Sequence, residues 1–489
     1  MNILLVSPRT PDTFWSFRHA LPFISKRAAF PPLGLLTLAA MLPREWAFRL
    51  VDLNVSRLKD SDITWADHVL TGGMLVHGKS MLAVARRCRQ LGKPITGGGP
   101  LFVEEEPYPD FDHVVLGEAE DLIEEIVADL RAGTMKPVYR ATRFPDITRT
   151  PNPRWDLVDL RPYASMCVQF SRGCPYNCEF CDIVALNGRV PRLKTPAQML
   201  AELESLRLRG WRGSVFLVDD NFIGNKKRVK ELLRAMIGWR RDTGTRMTFF
   251  TEASVNVADD PELLRLMVAA GFKKLFLGIE TPDADSLVEC QKLQNTKGDL
   301  VEAVHTIQQA GMEVMGGFIV GFDHDTPDIF ERQFEFIQKA GVVTAMVGLL
   351  QAVPRSRLYK RLAREGRLLS ESLGDNTRAA FNFEPKLDKE FMVANYRKLM
   401  NRLYEPSAYY QRVRAFLDQH RPRGPRGRLS WQDLQAFGKS LWLMGVVHRG
   451  RRAYWRFVGS TLVQHPNQLG IAITLAIYGH HFRQVARTL

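Results

Sequence analysis

Short apolar runs alternate with helical patterns from residue 3 to residue 350, and this βα rhythm leaves few folds open to the chain. The first series has runs at 3–7, 48–52, 68–72, 94–97 and 113–116, separated by helical patterns and Gly/Pro turns. Five such runs predict a doubly wound, Rossmann-like α/β domain. The helix expected between the third and fourth runs sets Met81, Leu82, Val84 and Ala85 on an apolar side and Arg86, Arg87 and Arg89 elsewhere. In such sheets ligands bind beyond the carboxyl ends of the strands. Those ends read Thr71-Gly72-Gly73, Gly97-Gly98-Gly99 and Gly117-Glu118, where glycine lets a large ligand approach the backbone.

A Pro-rich, charged stretch follows and reads as a linker over 136–162. A second series then has apolar runs at 167–171, 214–218, 247–251, 274–279, 314–320 and 344–350, again alternating with helical patterns. Six βα repeats predict a (β/α)6 partial TIM barrel with its site at the strand carboxyl ends. The expected organisation is a front domain over 1–135, the linker, a barrel domain over 163–370 and a helical C-terminal region over 371–489.

At 489 residues and 45% hydrophobic, the chain is too long for one core and too apolar for disorder. The first run, bounded by Pro8, lacks the basic region and cleavage site of a signal peptide, so a cytoplasmic location is expected. No segment reaches the roughly 18 apolar residues needed to span a bilayer. The net charge of +14 is uneven: residues 406–489 hold 13 Lys or Arg against only Asp418 and Asp433. There Trp431, Phe437, Trp442, Tyr454, Trp455 and Phe457 are interleaved with Lys439, Arg449, Arg451, Arg452 and Arg456. A helical lid with peripheral contact to the inner face of the membrane ranks first for this tail, a plain lid second and nucleic acid last.

Three of the six cysteines fall in Ser171-Arg172-Gly173-Cys174-Pro175-Tyr176-Asn177-Cys178-Glu179-Phe180-Cys181, a C-x3-C-x2-C loop after the first barrel strand. In a reducing compartment such a group points to a metal or redox site. A closed zinc site needs a fourth ligand, and neither Cys167 nor Cys290 is placed as one. A three-cysteine [4Fe-4S] cluster leaves one iron open to a cosubstrate.

This loop, with Phe180 before its last cysteine, resembles the signature of the radical S-adenosylmethionine (SAM) superfamily. The resemblance implies that Cys174, Cys178 and Cys181 ligate three irons, that SAM chelates the fourth, and that reduction releases a 5′-deoxyadenosyl radical. It also implies SAM contacts from Phe180, from Asp219, Asp220 and Asn221, from Glu252 and Ser254, from Glu280, and from Gly316 and Gly317 on a glycine-rich strand. Loop capping is the other reading of Asp219, Asp220 and Glu280.

A doubly wound domain ahead of this signature resembles the cobalamin-binding radical SAM enzymes, as do Pro31-Pro32-Leu33-Gly34, Gly97-Gly98-Gly99-Pro100 and Gly117-Glu118-Ala119-Glu120. The resemblance implies a cobalamin site at Gly72, Gly73, Met74, His77, Gly97, Gly98, Gly99, Gly117 and Glu118. The D-x-H-x-x-G cobalt-binding motif is missing, since Asp110 and His113 are three apart. His77 either approaches cobalt or caps the next helix. The runs 188–196, 219–225 and 278–282 are most similar to the hopanoid C-2 methylase branch.

The resemblance implies a methyltransferase that modifies an unactivated carbon of a hydrophobic small molecule or lipid, served by an electron donor such as flavodoxin or ferredoxin. A cobalamin-containing radical enzyme that cyclises, contracts or oxidises its substrate is the alternative. A non-catalytic electron-transfer protein ranks third.

Overall fold

The computed structural model describes residues 1–103, 108–375, 377–423 and 431–489; the side chains of Trp431 and Gln432 lie outside the described residues. The front sheet holds β1 (Asn2–Ser7), β2 (Ala47–Asp52), β3 (His68–Gly72), β4 (Ile95–Gly98), β5 (His113–Leu116) and β6 (Val138–Arg140), all parallel, in the order β2-β1-β3-β4-β5-β6. Its helices are α1 (Leu33–Met41), α2 (Asp60–Trp65), α3 (Gly78–Gln90) and α4 (Ile123–Ala132). Alternation along β1 explains the double winding. Leu4 and Val6 pack with Met81, Val84 and Ala85 of α3 on one face. Ile3 and Leu5 pack with Leu35 and Ala39 of α1 and Ile126 and Leu130 of α4 on the other.

The front sheet has six strands where the sequence pattern predicts five. The sixth, β6, lies in the stretch read as a linker and pairs Val138, Tyr139 and Arg140 with Val114, Val115 and Leu116. Three residues after Pro137 give almost no periodicity, and the strand is held by its buried Tyr139, whose hydroxyl donates to Asp129 Oδ2 at 2.7 Å.

The barrel opens with β7 (Ser165–Val168), and the chain then forms β8 (Ser171–Arg172), α5 (Ile183–Asn187) and β9 (Arg192–Leu193). Here the run expected at 167–171 divides in two, because β8 leaves the barrel to pair antiparallel with β9. The other barrel strands are β10 (Ser214–Leu217), β11 (Thr248–Ala253), β12 (Phe272–Glu280), β13 (Glu313–Val320) and β14 (Thr344–Leu349). They continue the parallel order β7-β10-β11-β12-β13-β14. The helices α6 (Pro196–Leu208), α7 (Lys226–Thr243), α8 (Pro261–Ala270), α9 (Ala284–Glu289), α10 (Leu300–Ala310) and α11 (Ile329–Lys339) lie between them.

Both edges of this open barrel are covered, as exposed edges would template aggregation. On the β7 side, Ala164 and Ser165 donate backbone N–H groups to Ala28 O and Ala29 O at 2.9 and 3.0 Å. On the β14 side, the Tyr396 and Tyr404 hydroxyls donate to Val347 O and Ala345 O. These tyrosines belong to the C-terminal helices α12 (Arg357–Arg364), α13 (Lys389–Leu403), α14 (Pro406–Gln419), α15 (Trp431–Trp442), α16 (Arg451–Gln464) and α17 (Leu469–Ala486), or to their connections. The last helix is buried against the N-terminal segment, with Phe482 stacked 5.0 Å from Phe14. Among the described residues no helix is long and apolar enough to cross a membrane.

Candidate active site

The three-cysteine loop is shaped by carboxylates at the end of β10. Gly173 has φ +98°, and a side chain there would lie 2.9 Å from the carbonyl oxygens of Asn187 and Gly188, so the turn into Cys174 requires glycine. Its N–H donates to Asp220 Oδ2 at 2.7 Å, and Asn187 Nδ2 donates to the same oxygen at 2.9 Å. Asp219 accepts from Phe170 N at 2.8 Å and from Ser171 N and Oγ at 3.1 and 2.8 Å. Burial pushes Asp219 up to about 7 and raises Asp220 as well. Both aspartates are thus bonded to the cysteine loop. Farther along, Glu179 is gripped by Arg361 of α12 at 2.8 Å, and its N–H donates to Cys290 O at 2.9 Å.

Cys178 is buried and Cys174 and Cys181 are half-buried, and burial raises all three thiols. The Lys292 ammonium opposes that shift at each of them. Lys292 itself is paired with Glu280 at 2.7 Å and stands 5.9 Å from the ring of Phe180. Glu280 sits at φ +68°, a conformation costing a non-glycine residue roughly 1–3 kcal/mol. It is fixed by Gln333 Nε2 donating to its carbonyl at 3.1 Å and by Asn295 Nδ2 donating to Gly278 O and Ile279 O. Asn221 Nδ2 donates to Cys174 Sγ at 3.8 Å, and Gln294 Nε2 to Cys178 Sγ at 4.0 Å. Asn221 also bonds Ser254, whose hydroxyl donates to Asn256, which in turn donates to the Tyr176 hydroxyl in the loop.

Glu252, at the end of β11, makes no hydrogen bond to a described side chain and is pushed up to about 7 by burial and by Asp220 and Asp219. Sequence reading missed Lys292, Gln294 and Asn295, which belong to no spacing motif. The amides of Asn221 and Gln294 and the Lys292 ammonium, turned toward three thiols, suit an anionic iron–sulfur cluster. Among the described residues no three His, Cys, Asp or Glu converge on a single-ion site. A cubane needs no such convergence, because its thiolates sit on separate irons.

In the front domain Gly99, at φ +93°, crosses the backbone of Gly73 so closely that a side chain would lie 2.9 Å from Gly73 O. Gly72 meets Gly98 in the same way at 3.4 Å, and Met74 beside them is 55% exposed. Gly97 and Gly117 face Phe102 and Ala141 instead, so their missing side chains serve packing. His77 accepts from Met74 N at Nδ1, 3.1 Å, which leaves the proton on Nε2 to donate to Thr10 Oγ1 at 3.3 Å. Its side chain thus bonds the turn before α3 and makes no capping bond to α3 itself. Both oxygens of Glu118 are taken by arginines, Arg172 at 2.5 Å and Arg192 at 2.6 Å.

These contacts turn the carboxyl ends of the two sheets toward each other. After β5, Glu118 and Glu120 hold Arg172 of the cysteine loop. After β4, Phe102 O accepts from Arg355, which follows β14. After β3, Leu75 and Val76 pack on Gly374.

The sequence comparisons agree with this architecture. The family model for the radical SAM superfamily matches residues 168–365, and that for a domain of unknown function, DUF4070, matches 356–489. An uncharacterized methyltransferase of Synechocystis is 40% identical over 99% of this chain and 92% of its own. The hopanoid C-2 methylase of Rhodopseudomonas palustris is 36% identical over 99% of this chain and 94% of its own. The chain belongs to the radical SAM methyltransferase family. Its fold is that of the methyltransferase TsrM from Kitasatospora setae, solved with cobalamin and a [4Fe-4S] cluster: the TM-score is 0.66 at 15% identity, over 93% of this chain and 99% of that one.

In this radical SAM methyltransferase the barrel has a hollow lumen. Along β10, β11 and β12, the helix-facing Val215, Leu217, Phe249, Leu275 and Leu277 are fully buried, while the inward Phe216, Phe250, Glu252, Phe276 and Gly278 keep partial exposure. Inward residues of a filled barrel would be the more buried set. The lumen wall is aromatic: Phe216 and Phe250 stack at 4.7 Å, Phe30 lies 5.4 Å from Phe216, and Trp15 lies 5.0 Å from Phe276. Gly317 makes room for Phe276, and Gly316 for Phe318 on the opposite face.

Proposed function

We propose that the protein methylates an unactivated carbon of a hydrophobic substrate, with a polycyclic lipid as the leading class. The observation that carries this reading is the meeting of the two carboxyl-terminal faces beside an apolar lumen. The 36% identity to the hopanoid C-2 methylase supports the substrate class.

Cys174, Cys178 and Cys181 would hold the cluster, with Asp219 and Asp220 as positioning residues for its loop. Phe180, Asn221, Glu252, Ser254 and Glu280 would border SAM. The glycine shelf of Gly72, Gly73, Gly98 and Gly99, with Met74, would carry cobalamin. When bound, the cluster with SAM supplies one-electron cleavage chemistry and cobalamin carries the methyl group. The chain's own share is to fix the cysteine loop, to exclude water with Phe216, Phe250 and Phe276, and to hold the two cofactor faces in register. An electron donor such as flavodoxin or ferredoxin would supply the reductant. The exposed Trp442, Val446, Val447 and Trp455 beside Arg449, Arg451, Arg452 and Arg456 would rest on an anionic membrane face.

Anaerobic turnover with methyl-labelled SAM and a panel of polycyclic triterpenes tests the reading by mass analysis of the lipid. A labelled product is expected. Formation of 5′-deoxyadenosine with an unlabelled, rearranged product would replace it with the cyclising or oxidising alternative.

A further inference from the structure

A second cavity opens at the other end of the barrel, away from the cysteine loop. It occupies about 1080 Å³ among α7, α8 and α10, at the amino ends of β11 and β12. Its floor is apolar, with Leu264 and Val268 among its lining. Its rim carries Arg240, Arg241, Arg246, Arg265, Lys273 and Arg423, and no Asp or Glu among the described residues lines it.

Apart from Arg241, paired with its neighbour Asp242 at 3.1 Å, none of these cations has a carboxylate partner among the described residues. The contrast within α7 is sharp. Ten and six residues earlier, Lys230 and Arg234 are paired with Asp260 and Glu262 at 2.6–2.9 Å. Arg240 instead donates to Met247 O and lies 5.9 Å from the Phe249 ring, and Lys273 donates to Arg423 O at 2.9 Å. Burial lowers the pKa of both, and Arg240 lowers that of Lys273 further. Half-buried like charges around one cavity are unfavourable without a counter-charge. An apolar floor of this size under a cationic rim matches the general anatomy of a ligand site.

We propose that this cleft binds an anionic amphiphile, with a phosphate head on the rim of Arg246, Arg265 and Lys273 and an apolar chain against Leu264 and Val268. The site stands apart from the methylation chemistry and holds whether or not the substrate class above is right. A phosphate head on an apolar chain could come from a bilayer lipid or from a soluble amphiphile, so the test has an arm for each.

Calorimetric titration of the full chain with dioctanoyl phosphatidylglycerol below its micelle concentration should show binding. The double variant Arg246→Glu/Arg265→Glu removes two exposed, unpaired charges and should weaken it by about tenfold or more. Lys273→Gln should act in the same direction, and Arg451→Glu/Arg452→Glu on α16 should leave it unchanged. If the lipid comes from a bilayer, the rim variant also weakens binding to phosphatidylglycerol vesicles beyond the share held by the C-terminal surface; if it is soluble, only the monomer titration changes. Equal binding of dioctanoyl phosphatidylcholine, equal binding of inorganic phosphate alone, or full affinity in the rim variants with unchanged circular dichroism would overturn the proposal.

Discussion

Glu118, just past the end of β5, binds Arg172 at 2.5 Å, two residues before Cys174, and the same carboxylate also holds Arg192. The pairs are 10–17% exposed, so solvent screens them little. They tie the front domain to the hairpin that carries the cysteine loop. Glu118→Ala leaves Arg192 without its carboxylate and Arg172 with Glu120 alone. Removing one partner of such a buried pair costs about 3–5 kcal/mol. Denaturant unfolding should show a loss of that order, and Glu118→Asp should recover part of it.

Replacing any one of Cys174, Cys178 and Cys181 by Ala should abolish the cluster absorbance and the SAM cleavage of reconstituted protein. Cys88→Ser should leave both intact, since that thiol lies on α3 and is packed in the front-domain core against the sheet. Iron analysis and visible absorbance check this. A full cluster in a single loop variant would show that the loop is not the ligand set.

His77 bonds Met74 through one ring nitrogen and Thr10 through the other. Protein reconstituted with cobalamin should therefore give a cob(II)alamin electron paramagnetic resonance spectrum without nitrogen splitting from this residue. His77→Ala should leave the spectrum unchanged. A splitting that disappears in the variant would make His77 a cobalt ligand.

Periodicity made both sheets legible, because Ile3 to Val6 and the barrel strands each bury side chains strongly enough to leave a pattern. It failed at β6, where three residues carry no period, and at β8, where the chain leaves one sheet for another within three residues. The cysteine loop was legible because three thiolates must come from a short segment. Lys292 and Gln294 reach the same loop, and Asn295 the end of β12 beside it, through tertiary folding alone, and nothing local marks them. The arginine partners of Glu118 were hidden for a related reason: a carboxylate at a strand end looks the same whether it faces a ligand or two distant arginines.

His480 and His481 on α17 are held neutral, burial pushing them down to about 3 and about 4. His480 faces His448 at 4.8 Å, with Arg483, His19 and His481 adding positive charge, and its Nδ1 has no partner among the described residues. Both pKa values are depressed on folding, so the unfolded chain binds more protons. Their contribution is complete above the ordinary value of 6.5 and is lost as pH falls toward 4. The slope is about 1.4 kcal/mol per pH unit for each histidine. Thermal melts from pH 7.5 to pH 4.5 should show this decline, and His480→Phe should reduce its slope while keeping the neutral-pH transition.

The C-terminal surface should bind membranes in two separable ways. The chain turns through Leu443–Val447 between α15 and α16, and Trp455 closes over the turn by donating Nε1–H to Gly445 O at 2.9 Å. This arrangement leaves Trp442 66%, Val446 51% and Val447 56% exposed, in a region where Arg449, Arg451, Arg452 and Arg456 are also exposed. Each basic residue near an anionic surface contributes roughly 1 kcal/mol, and that attraction is screened by salt. Insertion of the tryptophan and valines is not screened. Co-sedimentation with vesicles containing phosphatidylglycerol should therefore fall with salt to a residual plateau. Arg451→Glu/Arg452→Glu should remove the salt-sensitive part, and Trp442→Ser/Val446→Ser should remove the plateau while the cluster content stays constant. If the full chain does not sediment with anionic vesicles even at low salt, the surface is a plain lid over the barrel.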